Sequence, residues 1–257
     1  MFGMSLDYFA LDYPALAIVL AGAFLAGFTS GFAGFGTGLV AAGFWFHALP
    51  AALVPPLIVI ASVLGQGAGL LVVRRAFDWR TVLPYLVGGV VGVPVGVTLL
   101  VVASPQSLKT SVGIFLIAYA CIGLSGKGLP GIGAWGGKTA DGVAGLVGGV
   151  LGGFAGLSGP PPIIWLQLRG GTGDQQRATY QPFNLVVLSL ATVALSISGQ
   201  ITTDVLLITC ICLPATLLGA WIGARVYLRL PQAVFQRAVL GLLLLSGAIL
   251  VAQALVS

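Results

Sequence analysis

Apolar stretches long enough to cross a lipid bilayer recur along almost the whole chain, from Leu16 to Val256. A bilayer core is ~30 Å thick and takes about 20 helical residues to span. Only 7% of the 257 residues are charged and 58% are hydrophobic, so a water-facing surface of ordinary size cannot be built. The chain is therefore predicted to be an all-α polytopic membrane protein, with a single membrane domain over residues 1–257.

A glycine-rich motif interrupts the first of these stretches and then returns. Residues 31–38 read GFAGFGTG, and residues 153–162 read GFAGLSGPPP, an offset of 122. GVPVG at 92–96 resembles GAWIG at 219–223, and Pro105-Gln106 resembles Pro231-Gln232, at offsets of 127 and 126. Such a steady offset indicates a duplicated unit. The repeats are predicted at about 14–125 and 139–255, joined by a linker at 126–138.

Each half contains five apolar segments if the glycine motif is allowed to interrupt one. The second segment of each half, at about 36–48 and 160–168, is too short to cross a bilayer at ~1.5 Å per residue. The first pair of each half therefore predicts a broken or re-entrant helix. The predicted segments are 15–31, 36–48, 51–73, 81–103 and 108–125 in the first half, and 140–156, 160–168, 178–199, 203–224 and 233–255 in the second.

The lysines and arginines indicate how the segments are oriented. If the chain does not reverse at the glycine motifs, the basic residues divide five against six between the two sides. If it reverses at each motif, ten fall on one side and only Lys109 on the other. The second arrangement follows the positive-inside rule. It predicts two inverted repeats, ten basic residues in the cytoplasm and both termini outside, and it explains the net charge of +5 by topology rather than by nucleic-acid binding.

Both short segments begin a new helix directly after a glycine break. One begins near Gly36-Thr37-Gly38 and the other near Ser158-Gly159, where Pro160 suits a first helical turn. A helix N-terminus presents free N–H groups and about half a positive charge, which favours a bound anion. Glycine lets the backbone approach a ligand, and the Thr37 and Ser158 hydroxyls can donate hydrogen bonds. The predicted site is for a small anion near the bilayer midplane, with Arg177 attracting anions at the cytoplasmic mouth.

The residues of this predicted site come from both halves of the chain. Gln66, Gln181 and Asn184 either complete the pathway or bond between helices. Phe35 and Leu157, at matching motif positions, either gate the path or fill the core. The GxxxG spacings at Gly92–Gly96, Gly145–Gly149 and Gly219–Gly223 are typical of helix packing, which is also the alternative reading of the motif glycines. The full predicted set is Gly34, Phe35, Gly36, Thr37, Gly38, Gln66, Gly156, Leu157, Ser158, Gly159, Gln181 and Asn184.

Several kinds of chemistry are missing from the sequence. Asp78, Asp141, Asp174 and Asp204 fall in loops or at segment ends, so no carboxylate is expected mid-membrane as a proton relay. No metal-binding spacing, catalytic dyad or nucleotide-binding loop is present. We therefore expect no enzyme activity, no catalytic residue, no metal and no cofactor.

The duplicated GFAG motifs, the chain length and the basic loops resemble the TauE/SafE family of sulfite and organosulfur anion exporters, also called the toluene-sulfonate uptake permease family. The resemblance covers about residues 14–255 and implies transport of sulfite or a sulfonate across a bacterial inner membrane without ATP. It carries over to nine motif positions, and the sequence departs from the family pattern where SGPPP replaces a continued glycine run. The nine positions are Gly31, Gly34, Phe35, Gly36, Gly38, Gly153, Gly156, Ser158 and Gly159.

Taken together, the sequence predicts a secondary transporter that alternates access between inverted halves. An anion channel would place the same helix ends beside an open path. A membrane scaffold or partner subunit would use the glycines for helix packing alone. The anion, the direction of transport, any coupling ion and the oligomeric state stay open at this stage.

Overall fold

The computed structural model describes residues 13–73, 78–125, 131–133, 135–170, 172–226 and 232–256. These residues form ten α-helices and no strand, which confirms the all-α prediction. A short 3-10 turn, Ala51–Leu53, precedes the third helix. The helices are α1 Tyr13–Ala33, α2 Thr37–Ala48, α3 Val54–Val73, α4 Trp79–Val102, α5 Pro105–Leu124, α6 Gly137–Ala155, α7 Pro160–Arg169, α8 Gly173–Ile197, α9 Thr203–Val226 and α10 Gln232–Val256.

Five stretches within the described helices are long and apolar enough to cross a membrane. Large apolar side chains such as Val91, Leu99 and Leu218 point outward from α4 and α9. A lipid-facing surface accounts for this exposure, because hydrocarbon does not penalise it. The chain is a multi-pass membrane protein, as predicted. The five stretches are Tyr13–Ala33, Trp79–Val102, Pro105–Leu124, Gln175–Ile197 and Thr203–Val226.

The chain reverses direction at the first glycine motif. Gly34 and Gly36 adopt φ of 76° and 92°, a left-handed conformation that side chains disfavour. Helix α2 then runs back along α1, and the Trp45 indole Nε1 donates a 3.0 Å hydrogen bond to the Val19 carbonyl oxygen. We call α1, the turn and α2 hairpin one. At ~1.5 Å per residue its 12-residue second helix is about 18 Å long, so it reaches only part-way through a bilayer.

The second motif forms a matching turn. Gly156 ends α6 with φ of 72°, and α7 begins four residues later at Pro160. Trp165 of α7 then lies against the beginning of α6, where its indole Nε1 donates a 2.7 Å hydrogen bond to Asp141. We call α6, this turn and α7 hairpin two. Both motifs are therefore places where the chain turns back, as the sequence predicts.

The helix pairs of the two halves match under an exchange of α1–α5 with α6–α10. Helix α1 packs on α9 just as α6 packs on α4, and α3 packs on α9 as α8 packs on α4. Helix α5 packs on α10 in antiparallel fashion, because Gly113 meets Val251 while Gly123 meets Leu240. A two-fold axis along the membrane normal would leave α5 and α10 parallel. Their antiparallel packing places the axis in the membrane plane, so the halves are inverted.

Glycines allow two of these helix pairs, α4 with α6 and α1 with α9, to pack closely along their length. A Cβ on Gly96 would lie 2.8 Å from the amide nitrogen of Phe154, and one on Gly219 would lie 2.9 Å from that of Phe28. Such distances are closer than real Cβ contacts, so only glycine permits these backbones to approach. The packing interpretation of the Gly92–Gly96, Gly145–Gly149 and Gly219–Gly223 spacings is confirmed.

The helix directions place the described basic side chains mostly on one face, which we call the basic face. The ends of helices α4, α6, α7, α8, α9 and α10 carry these residues. Lys109, near the beginning of α5, lies at the opposite face, as predicted. Arg74, Arg75, Lys127 and Arg229 of the predicted set, with Asp7 and Asp12, lie outside the described residues. The basic face carries Arg80, Lys138, Arg169, Arg177, Arg225 and Arg237.

Helices α6 and α8 begin with polar residues that lie before their predicted apolar segments. Helix α8 begins at Gly173 rather than at 178, because Thr172 caps it and Gln175 completes a capping box. Helix α6 begins at Gly137, inside the predicted linker. Both additions are polar turns that extend from the membrane-spanning segment at the basic face.

Candidate functional site

The turns of the two hairpins meet near the centre of the molecule. A Cβ on Gly38 would lie 2.5 Å from the Gly156 carbonyl oxygen and 3.2 Å from a Leu157 methyl group. The same Cβ would also touch Ile58 of α3, which packs on Gly156 as well. Both N-termini of the short helices therefore converge on one place, with α3 and α8 beside them.

A buried cavity of about 20 Å³ lies between these turns. This volume holds roughly one water molecule, so the two turns pack closely together in this state. It is lined by side chains and backbone from both hairpins and from α3 and α8. The lining residues are Gly36, Thr37, Gly38, Leu39, Ser62, Gln66, Gly156, Leu157, Ser158, Gly159, Pro160, Asn184 and Leu188.

The structure brings nine of the twelve predicted site residues together at this cavity. They are Gly36, Thr37, Gly38, Gln66, Gly156, Leu157, Ser158, Gly159 and Asn184. The other three lie beside the turn of hairpin one. The amide of Gln181 lies against Gly34, and the ring of Phe35 packs edge-to-face on Tyr180 with 5.7 Å between ring centroids. These three do not line the cavity.

Three polar side chains at the cavity have atoms without a hydrogen-bond partner. They are the Thr37 Oγ1, the Ser62 Oγ and the Gln66 Oε1. Their residues are 1%, 1% and 5% exposed. Leaving a buried polar atom unpaired costs about 1–3 kcal/mol each. Three such atoms around one cavity are uncommon, and a polar group in the cavity would satisfy them.

Hairpin two brings a hydroxyl that is already paired. The Ser158 Oγ donates a 2.9 Å hydrogen bond to the Asn184 Oδ1 of α8, and both residues are 1% exposed. This bond fixes the Asn184 amide, so that its nitrogen remains available as a donor. Asn184 also lies against Gly159 at the beginning of α7.

The two short helices differ in the N–H groups that they offer. Helix α2 begins at Thr37 without a side-chain cap, so the N–H groups of Thr37, Gly38 and Leu39 have no partner inside the helix. Helix α7 begins with three prolines, residues 160–162, which have no N–H. Hairpin two can offer only the N–H groups of Ser158 and Gly159. The prediction that both helix N-termini present free N–H groups is therefore wrong for the first turn of α7.

A larger cavity of about 170 Å³ lies next to the first. The two cavities share Gly36 and Leu39. Its remaining walls come from Phe35, from the end of α1 and from parts of α5, α7 and α10 near the basic face. Helix α2 packs on α5 and α10 near the opposite face, whereas α7 makes no comparable contact with them in the described residues. The larger cavity occupies the space where that contact is missing.

A buried ionic cluster at the beginning of hairpin two was missed by the sequence reasoning. Asp141 is 8% exposed and accepts hydrogen bonds from the Tyr85 hydroxyl at 2.9 Å and the Trp165 indole at 2.7 Å. The Arg169 Nε forms an ion pair with the same carboxylate oxygen at 2.8 Å. Asp141 does lie near a helix end, as predicted, but it is an interior group. Its partners are far apart in sequence, so only the fold shows the cluster.

Ser62 was also missed, although a signal for it was present. It lies four residues before Gln66 on α3, so both side chains share one helical face. A small polar residue one turn from a buried glutamine therefore pointed to the same cavity.

Comparison with known proteins gives one match. A family model described as Sulfite exporter TauE/SafE matches residues 19–250, nearly the whole chain. No curated protein and no solved structure is significantly similar to the chain.

Proposed function

The chain belongs to the sulfite exporter TauE/SafE family, and on that premise we propose that it is a secondary transporter that holds a small sulfur anion between its two hairpins. Family membership supports a membrane transporter of sulfur anions rather than an enzyme. The finer assignment, sulfite or an organosulfonate between the two turns, is our proposal, and it requires the turns to move apart because the cavity of about 20 Å³ holds roughly one water molecule in this state. We also propose that the basic face lies in the cytoplasm of a bacterial cell, with the protein in the inner membrane and both termini outside.

One observation carries the proposal. The unpartnered Thr37 Oγ1, Ser62 Oγ and Gln66 Oε1 meet at the uncapped N-terminus of α2. Hydroxyls donate hydrogen bonds, and an amide can turn to donate as well. A helix N-terminus stabilises a bound anion by about 0.3–2 kcal/mol. An oxyanion with several acceptor oxygens would satisfy these groups at once.

The charge of the surrounding residues supports an anion over a cation. Of the described residues, none that lines the smaller cavity is acidic, and none is a lysine or arginine. A cation would meet the positive end of α2 with no carboxylate to offset it. An anion meets the N–H groups at the beginning of α2 and the nearby hydroxyls, and the site places no charged side chain in the hydrocarbon when it is empty.

The larger cavity supports an alternating-access mechanism. It connects the basic face to Gly36 and Leu39, while α2 closes the opposite side against α5 and α10. In an inverted repeat the other state exchanges these roles. Loss of the α2 contacts and closure of α7 would then open the smaller cavity to the opposite face.

The test measures uptake of radiolabelled sulfite in proteoliposomes containing the purified protein. Thr37→Val keeps the shape of the side chain but removes its hydroxyl, so KM is expected to rise about fivefold to tenfold, at ~1.4 kcal/mol per factor of ten. Ser158→Ala is expected to raise KM about threefold. Thr216→Val is the matched control, because Thr216 is 2% exposed, does not line the smaller cavity, and its hydroxyl donates to the Cys212 carbonyl oxygen.

Unchanged KM in both site variants would contradict the site. Flux that rises linearly with sulfite concentration would indicate a channel. If the wild-type protein transports neither sulfite nor any of a panel of sulfonates, and none of them shifts its thermal unfolding, the scaffold alternative is favoured.

A further inference from the structure

One face of α8 carries a row of polar side chains that leads from the basic face to the smaller cavity. Arg177, Gln181 and Asn184 lie at positions i, i+4 and i+7, which fall on one side of a helix. Asn184 lines the cavity and accepts the Ser158 hydrogen bond. Seven residues along a helix correspond to about 10 Å. The row therefore covers the distance from the helix end to the cavity.

The first two members of this row lie against the turn of hairpin one. A Cβ on Gly34 would be 2.8 Å from both the Arg177 Nε and the Gln181 Nε2. With φ of 76°, Gly34 also has a backbone conformation that side chains rarely adopt. Glycine at this position thus lets a guanidinium group and an amide approach the backbone of the turn.

The turn is fixed to α8 by a separate hydrogen bond. The Tyr180 hydroxyl donates to the Ala33 carbonyl oxygen at 2.8 Å, and Tyr180 is 7% exposed. Tyr180 lies between Arg177 and Gln181 in sequence, so the bond holds this part of α8 against the turn. The arrangement of Arg177 and Gln181 around Gly34 is therefore part of the packed structure.

Gln181 supplies the observation that points to a ligand. It is 2% exposed, and its Oε1 has no hydrogen-bond partner. A buried amide atom without a partner is uncommon in folded proteins. A half-turn of the amide exchanges its oxygen and nitrogen, so Gln181 can either donate or accept.

We propose that Arg177 and Gln181, together with the backbone at Gly34, form an outer anion site that receives an oxyanion from the basic face and passes it along α8 to the smaller cavity. The inference rests on the proposed function. The ligand class is a sulfur oxyanion or sulfonate with at least two free oxygens, because a guanidinium group binds two such oxygens side by side. The positive charge of Arg177 lowers the free-energy cost of bringing an anion to the edge of the membrane.

The experiment measures sulfite transport in membrane vesicles of both orientations. Arg177→Gln is expected to raise KM about tenfold when sulfite is supplied at the basic face, with no change in KM at the opposite face. Arg177→Lys keeps the charge but loses the guanidinium fork, so an intermediate KM is expected. In the wild type, KM at the basic face is expected to rise with ionic strength, because salt screens the attraction.

Arg225→Gln is the matched control. Arg225 lies on the same face, but its guanidinium stacks on the Trp221 ring at 3.4 Å from the centroid. This variant is expected to keep the wild-type KM at both faces. An equal loss in the Arg177→Gln and Arg225→Gln variants would show a general effect of surface charge and would overturn the outer site.

Two further outcomes separate this inference from the function on which it rests. Saturable sulfite transport by the wild type, with KM at the basic face unchanged in Arg177→Gln, overturns the outer site alone. Absence of saturable transport in the wild type overturns the proposed function itself. If Arg177→Gln does not fold, the ionic-strength dependence of the wild-type KM decides, and a KM at the basic face that is independent of salt overturns the outer site.

Discussion

Hairpin one and hairpin two occupy equivalent places in an inverted repeat, but they are built from different chemistry. In hairpin one, α2 begins with a threonine, a glycine and a leucine that leave their N–H groups unpaired within the helix. In hairpin two, α7 begins with three prolines and offers no N–H from its first turn. The difference teaches that a duplicated architecture can keep its shape while one copy supplies most of the free N–H groups.

At the end of each hairpin away from its turn, hairpin two makes the more polar contact. Trp45 of hairpin one bonds to the Val19 backbone carbonyl, whereas Trp165 of hairpin two bonds to the Asp141 carboxylate. Val19 and Asp141 are 122 residues apart, the same offset as the glycine motifs. A neutral contact in one half thus corresponds to an ionic cluster in the other. Hairpin two is the more firmly tied element, and hairpin one is the one that presents free N–H groups.

Both hairpins contain a glycine turn, and one added methyl group at that turn should disrupt it. Gly156→Ala adds a Cβ against Ile58 and Val59 and also strains a left-handed residue, which costs about 1–2 kcal/mol. We expect transport to fall more than about tenfold, because the meeting point of the two turns shifts. Sulfite uptake and thermal unfolding in detergent measure the two effects.

Gly199→Ala is the control for that change. Gly199 has the same φ of 72° but no atom within 4 Å of an added Cβ. It should therefore lower stability by the strain alone and leave transport intact. Equal effects of the two variants on transport would contradict a special role for the meeting of the turns.

The ionic cluster of hairpin two should matter mainly for stability. Asp141→Asn keeps a side chain that can accept hydrogen bonds from Tyr85 and Trp165 but removes the charge opposite Arg169. Breaking a buried pair costs about 3–5 kcal/mol; with side chains 11% and 21% exposed, we expect about 2 kcal/mol. The fall in unfolding temperature in detergent measures this loss.

The corresponding change in hairpin one is His47→Gln. His47 shares a 3.1 Å hydrogen bond with Ser246 and a second side-chain hydrogen bond with Gln253; because glutamine can keep one of them, the change should cost no more than about 1.5 kcal/mol. Equal destabilisation by the two variants would show that the ionic cluster adds nothing beyond an ordinary hydrogen bond. The contrast between the hairpins would then rest on their N-termini alone.

The smallest effect is expected from a substitution that makes hairpin two resemble hairpin one. Pro160 lines the smaller cavity, and Pro160→Ala gives the first turn of α7 an N–H group at that position. We expect sulfite to bind about twofold to fivefold more tightly, because a helix N-terminal donor contributes about 0.3–1 kcal/mol at an anion. Isothermal titration with sulfite measures the change.

Pro161→Ala is the control for this variant. It removes the same ring constraint, but Pro161 does not line the cavity. Weaker sulfite binding by Pro160→Ala than by Pro161→Ala would contradict the donor-based contrast between the hairpins.

Much of the fold could be predicted because its signals are local. The short segments at 36–48 and 160–168 correspond to Thr37–Ala48 and Pro160–Arg169, since glycine and proline mark both helix starts. The offset of 122 also pairs Gly34 with Gly156, and both have positive φ. Helix α8 was predicted to begin too late because the prediction followed apolar residues and overlooked the Thr172 and Gln175 cap.

The parts that could not be predicted depend on contacts between distant helices. Tyr85 meets Asp141 across 56 residues, and nothing near either residue announces the other. The outer anion site likewise needs Gly34 to meet Arg177 of α8. Sequence spacing could align Arg177, Gln181 and Asn184 on one helical face, but it could not say which turn that face contacts.

The smaller cavity has one consequence for the energetics of transport. Among the described residues that line it, none has an ionisable side chain, so a bound anion keeps its full charge. On the proposed function, a turnover without a coupled ion therefore moves net negative charge through the membrane electric field. A potential of 100 mV, negative inside, contributes about 2.3 kcal/mol per charge toward the outside. In such a turnover the membrane voltage favours export, and twice as strongly for a dianion as for a monoanion.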